Sequence, residues 1–130
     1  MHYLYNAVEV IKVAESLLRD KAKTFAKAIV LLCREIKATH KESVLTNQLL
    51  RSGTSIGANL HEAQYAQGTK DFISKFEIAL KEASETGYWL ELLYRTKYID
   101  EQTFKALSSK CTSLRVMLIS SCKTAKEHEK

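Results

Sequence analysis

No proline and only four glycines occur in the 130 residues of this sequence. With those breakers scarce and Ala, Leu, Lys and Glu abundant, long stretches of good helix formers run on uninterrupted, which predicts an all-α fold. Long apolar runs are missing as well. The longest, Ala28 to Cys33, is far short of the roughly 20 residues of a membrane-spanning helix, and no charged segment followed by an apolar one opens the chain. A cytoplasmic protein with no membrane partner is expected. Cysteine is also sparse. Cys33, Cys111 and Cys122 form no closely spaced metal-type pair, and an odd number suits reduced thiols serving as small apolar fillers. Cys111 and Cys122 lie about 16 Å apart along a helix at 1.5 Å per residue, too far to bridge.

Patterns that carry chemistry are equally rare. Inward-facing Glu-x-x-His pairs, which hold metal ions in some helical bundles, are absent. His61 and Glu62 are neighbours and point about 100° apart on a helix, so they cannot face one site. His2, His40 and His128 fall at a terminus, a loop and a charged tail. The stretch R-S-G-T-S-I-G from Arg51 looks loop-like, yet it sits within helical periodicity and lacks the lysine of a phosphate-binding loop. No serine elbow or Cys-His arrangement appears. The expectation is a protein that is not an enzyme and needs no cofactor or metal.

Periodicity is what the sequence has in plenty. One domain over residues 1–130 is expected at this length. A first helix spans Leu4 to Thr39, with Leu4, Val8, Phe25 and Ile29 on its core row; residues 1–17 are either its first turns or an N-terminal extension. A second spans Ser43 to Ala66 and is stopped by Gln67 and Gly68, the glycine as a left-handed cap. The third starts at Thr69 as N-cap and buries Phe72, Phe76, Ala79, Leu80, Ala83, Gly87, Leu90 and Tyr94. The fourth starts at Asp100 as N-cap, with Ile99 and Phe104 spaced as a hydrophobic staple, and continues through Leu107, Cys111, Leu114, Leu118, Ser121 and Ala125. The charged tail, residues 126–130, is expected to fray. Short connections between amphipathic helices predict an up-down-up-down antiparallel four-helix bundle.

Three surface features stand out from this plan. Gly53 and Gly57 each cost a helix roughly 1 kcal/mol relative to alanine, which signals a backbone approaching a neighbour closely. Beside them Arg51, Ser55, Asn59 and Glu62 form a polar row, and across the turn Arg51 comes level with Glu85. These residues read as an interhelical hydrogen-bond network that fixes register. The third helix carries a second apolar row, Ile78, Trp89, Leu92 and Leu93, that one core cannot also use. A contact between subunits at Ile78, Trp89 and Leu92 is predicted, unless Trp89 folds over a neighbouring helix. The first helix gathers Lys12, Arg19, Lys23, Lys27, Arg34, Lys37 and Lys41 within about 80°, taking 100° per residue. Between positions 12 and 41 there are eight basic and three acidic residues, a surplus equal to the +5 net charge of the whole chain. Spread over about 44 Å, such a stripe can track the phosphates of RNA or DNA; it also fits an ordinary solvated face.

The segment L-L-R-S-G-T-S-I-G-A-N-L-H-E-A-Q, followed by K-D-F-I-S-K-F-E-I-A-L-K-E-A-S-E-T-G-Y-W-L-E-L-L, closely resembles the four-helix-bundle proteins first noticed as open reading frames in 23S rRNA intervening sequences. The likeness covers roughly Leu18 to Lys126. Its R-S-x-x-S-I-x-x-N-x-x-E core is matched at Arg51, Ser52, Ser55, Ile56, Asn59 and Glu62, and its D-F-I at Asp71, Phe72 and Ile73. The resemblance implies a bundle that assembles into a ring, described as a pentamer, with no known enzymatic activity. It also implies kinship with the accessory proteins of diversity-generating retroelements, and so a reverse transcriptase and RNA as partners.

Overall fold

A computed structural model of the chain describes the backbone of residues 2–129 and the side chains of residues 11–128. The side chains of His2, Leu4 and Val8, and the last residue of the tail, lie outside the described residues. The elements are α1 (His2–His40), α2 (Val44–Ala63), α3 (Thr69–Arg95) and α4 (Glu101–Glu129). α4 thus stays helical into the charged tail where fraying is expected.

Cross-helix pairs give the direction of each neighbour. Gly53 of α2 sits over Ile29 of α1 and Gly57 over Ala22, so the numbers rise on one helix as they fall on the other. Ser52 meets Thr86 and Glu62 meets Lys75 between α2 and α3. Cys111 meets Ala83 and Lys126 meets Glu77 between α3 and α4. Each helix packs on its sequence neighbour and α1 closes on α4, while the backbones of neither diagonal pair come close among the described residues. The fold is an antiparallel up-down-up-down four-helix bundle.

Its interior is built from Leu18, Phe25 and Ile29 of α1, Leu49, Ile56 and Leu60 of α2, Phe76, Leu90 and Leu93 of α3, and Leu114 and Leu118 of α4, all buried. Large aliphatic and aromatic side chains of this kind contribute about 1.5–3 kcal/mol each on burial, which is what holds helices of mixed charge together. All three cysteines are buried and unpaired. The Cys33 thiol donates to the carbonyl of Thr46 and the Cys111 thiol to that of Ala83. Burial pushes both thiols up to about 11, so they stay protonated as apolar fillers.

The boundaries differ from the sequence expectation in instructive ways. α2 ends at Ala63, three residues early, and Gly68 is the extended residue ahead of α3 with φ 177°, a conformation open to any residue, instead of a left-handed cap. The left-handed positions belong to two lysines. Lys41 (φ 57°) ends α1, and Lys97 (φ 69°) ends α3. At α3 the N–H of Tyr98 donates to Leu93 and that of Lys97 to Tyr94, a Schellman turn made without glycine. α2 starts at Val44, one residue after the expected Ser43, and its first turn is capped by Glu42, whose carboxylate accepts from the N–H of Leu45 and Thr46 at 2.7 and 3.0 Å. Asp100 caps α4 as expected, accepting from the N–H of Thr103 at 2.7 Å.

Candidate nucleic-acid interface

The basic stripe lies along the flank of a helix whose inner face is fixed by the core. Leu18, Ala22, Phe25, Ile29, Cys33 and Ile36 of α1 are buried, and Lys12, Lys23, Lys27 and Arg34 are exposed on a different side. Arg19 and Lys37 are half-buried, and Lys37 donates to the side-chain oxygen of Asn47 on α2. Lys41 does not extend the stripe along the helix, because the chain has already turned at its left-handed backbone. Among the described residues ion pairs are confined to the other three helices: Arg51 with Glu82 and Glu85, Lys75 with Glu62, Lys126 with Glu77, Arg95 with Glu91 and Lys105 with Glu101. Among the described residues no cation of α1 forms one. Glu15, the acid nearest Arg19 by helix spacing, is instead partly withdrawn from water. Burial raises its carboxyl pKa against the opposing pull of Arg19 and Lys12.

The polar row of α2 divides into parts that cross the bundle and parts that do not. Arg51 reaches α3, where its guanidinium pairs with Glu85 and donates to Glu82 at 3.1 Å. Glu85 also accepts from the indole N–H of Trp89 at 2.9 Å. That bond, against burial and with the help of Arg51, holds its carboxyl below the usual carboxylate range. Ser55 and Asn59 make no such crossing; their donors go to the carbonyls of Arg51 and Ser55 on their own helix. Glu62 pairs with Lys75 at 3.4 Å at the surface. The expectation of one interhelical network through all four residues is therefore corrected: one arginine and one glutamate bridge to α3, and two side chains serve α2 alone. The bridge that is buried is one the polar row omits, between the hydroxyls of Ser52 and Thr86 at 2.9 Å.

The second apolar row of α3 is likewise split. Leu93 is fully buried, because α3 turns a wide stripe toward α2 that takes in Thr86 and Leu93. Trp89 and Leu92 are half-buried, with Trp89 packed against the core, and Ile78 is 40 % exposed. More fully exposed apolar side chains lie elsewhere: Val13, Leu17 and Leu31 on α1, and Val116 and Ile119 on α4. The signal for the α1 set was present in spacing, since 13, 17 and 31 fall on one face nearly opposite the core row. At the end of the bundle where α1, α4 and the α2–α3 turn meet, an open groove of about 810 Å³ is left by the small residues Ala14, Ala63, Ser121 and Ala125, with Glu15 and Phe72 at its sides. Among the described residues no three His, Cys, Asp or Glu side chains converge to hold a metal ion, and no helix is long and apolar enough to cross a membrane.

Residues 15–120 match the pattern of the 23S rRNA-intervening sequence protein family. The chain belongs to that family. A solved member of the S23 ribosomal protein family from Bacteroides thetaiotaomicron, itself a protein of unknown function, is 47 % identical. The similarity covers 85 % of this chain and 98 % of that one, with a TM-score of 0.83. No curated protein matches. The span shared with the 23S rRNA-intervening sequence family holds the Arg51–Glu85 bridge, the close approach at Gly53 and every stripe residue except Lys12.

Proposed function

We propose that this protein is a non-enzymatic, self-associating four-helix bundle that binds RNA or DNA through the cations of α1. The observation that carries this reading is the lack of any ion pair on α1 among the described residues, although that helix holds seven basic residues against four acidic ones. A cation left unneutralised on a rigid helix is available to phosphate, and each phosphate contact releases condensed counterions. Filter binding to mixed-sequence RNA and DNA at several salt concentrations tests it. Binding that weakens with salt, and that disappears when Lys23, Lys27, Arg34 and Lys37 become glutamine with helicity unchanged, is expected. Equal retention of the wild type and the quadruple variant defeats the reading.

Self-association, with a ring of five copies as the family resemblance suggests, is supported by apolar side chains left in water on α1, α3 and α4. Light scattering is expected to show a multiple of the chain mass, reduced by Trp89→Glu and also by Ile78→Glu, which touches less of the core. A monomeric wild type removes this part of the proposal. The same exposed residues favour a second reading, a protein adaptor with a reverse transcriptase as its partner and no direct nucleic-acid contact. A protein that assembles yet retains no nucleic acid at low salt supports that alternative.

A further inference from the structure

Resting on the nucleic-acid reading above, we infer that the α1 stripe takes the phosphate backbone of a duplex and does not read its sequence. Binding single strands without sequence preference relies on aromatic rings on which successive bases stack, each worth about 1–3 kcal/mol. α1 offers none among its described side chains. Its one Phe, Tyr or Trp there is Phe25, buried in the core. The exposed tyrosines, Tyr65 and Tyr88, sit on the α2–α3 turn and on α3, the helix diagonal to α1.

What α1 offers is a line of point charges on a rigid rod. The helix contains neither glycine nor proline, so nothing bends it between Lys12 and Arg34. Lys23 and Lys27 stand about 6 Å apart along the axis, and the line from Lys12 to Arg34 is about 33 Å long. A flexible single strand must be ordered to lie on such a line, with no stacking to offset that cost, whereas a duplex arrives already straight. Counterion release points the same way, at about 0.9 per phosphate contact for a duplex against about 0.7 for a single strand. Base reading is thinly equipped as well, with only Arg34 and the lysines able to reach guanine. Between Ile11 and His40 there is no asparagine or glutamine to pair with adenine, and of the two arginines, Arg19 is half-buried.

The test uses the full chain with mixed-sequence DNA and RNA duplexes of about 20 base pairs, twice the roughly 10 that the stripe spans, and with unstructured single strands of equal length. Fluorescence anisotropy is expected to show tighter binding to at least one duplex than to either single strand. With about four phosphate contacts, duplex affinity should fall about 150-fold between 50 and 200 mM salt, against about 50-fold for a single strand. Scrambling the duplex sequence should leave affinity unchanged within about threefold. The DNA and RNA arms identify which duplex is held. Single strands bound as tightly as duplexes, or a strong effect of scrambling, overturn this inference while leaving the nucleic-acid reading intact. Retention of none of the four probes overturns both.

Discussion

Gly53→Ala puts the close approach of α1 and α2 to a quantitative test. A β-carbon on residue 53 would stand 2.9 Å from Cγ2 of Ile29, 3.2 Å from Cγ1 and 3.4 Å from Cβ. None of these is the loose end of a flexible side chain. Ile29 is fully buried, and its branched β-carbon holds χ1 in one rotamer within a helix, so relief has to come from moving one helix against the other. Overpacking of this kind costs about 1–3 kcal/mol, against a gain in helix propensity of about 1 kcal/mol. The net expectation is a loss of about 0–2 kcal/mol, or up to about 7 °C in melting temperature for a chain of this length. Urea unfolding followed by far-ultraviolet circular dichroism, at fixed chain concentration, measures it. Two comparisons make the reasoning refutable. Gly87→Ala, where nothing lies within 4 Å of the added carbon, should stabilise by about 0.5–1 kcal/mol. In an Ile29→Ala background, Gly53→Ala should change sign and stabilise by a similar amount, because Cγ2 and Cγ1 are gone and the Cβ that remains lies at 3.4 Å, an ordinary contact distance. If Gly53→Ala alone is stabilising, or its effect is the same in both backgrounds, the contact with Ile29 is not why glycine stands there.

Arg51→Ala should cost only about 0–1 kcal/mol, because the Arg51 side chain is 49 % exposed and Glu85 34 % exposed, so solvent screens the pair; a loss of several kcal/mol on melting would mean that the bridge is buried in solution. Glu42→Ala removes the acceptor for two N–H groups at the start of α2 and should cost about 1 kcal/mol, read from urea unfolding at neutral pH. Backbone N–H groups outweigh burial at Glu42, bonding to Thr103 dominates at Asp100, and the Trp89 bond with Arg51 outweighs burial at Glu85, so each folded pKa is lowered. These groups therefore stabilise the fold above the unfolded carboxylate pKa of about 4, and that contribution drains away as pH falls through the folded values; acid melts that show rising stability below pH 4 contradict the assignment. Cys33 and Cys111, buried and with thiols at about 11, should resist iodoacetamide at pH 8 in the native protein and react fully in urea; rapid native labelling refutes the packing.

Fold class was legible because periodicity survives in the helices: Leu18 through Ile36, Leu49 through Ala63 and Leu107 through Leu118 are buried where their spacing puts them, although at the end of α4 Cys122 is buried in place of the expected Ser121 and Ala125. Helix ends were less legible. Lysine at 41 and 97 does what glycine ordinarily does, while Gly68, the residue that looks like a stop, is merely extended. The Arg51–Glu85 bridge followed from counting turns on either side of Gly68, since antiparallel pairing fixes which residues come level. Ser55 and Asn59 were misjudged because a hydroxyl or amide in a helix has an acceptor available four residues back on its own backbone, and periodicity does not say which acceptor wins. The stripe on α1 was visible as a pattern of angles. That its cations are unpaired was not, because pairing depends on which acids the neighbouring helices bring near.

The order of helix seams bears on how the chain finds this structure. Three of the four seams join helices adjacent in sequence across turns of three to five residues, and the fourth, between α1 and α4, is the sparsest among the described residues. Short turns make each hairpin cheap to close, and a topology dominated by local contacts belongs with the chains that fold in microseconds to milliseconds. The seam between the two ends of the chain then forms last and contributes least. Amide exchange should therefore show α1 separating from α4 at a lower free energy than α2 separates from α3, so that the bundle opens along the edge that borders the basic helix.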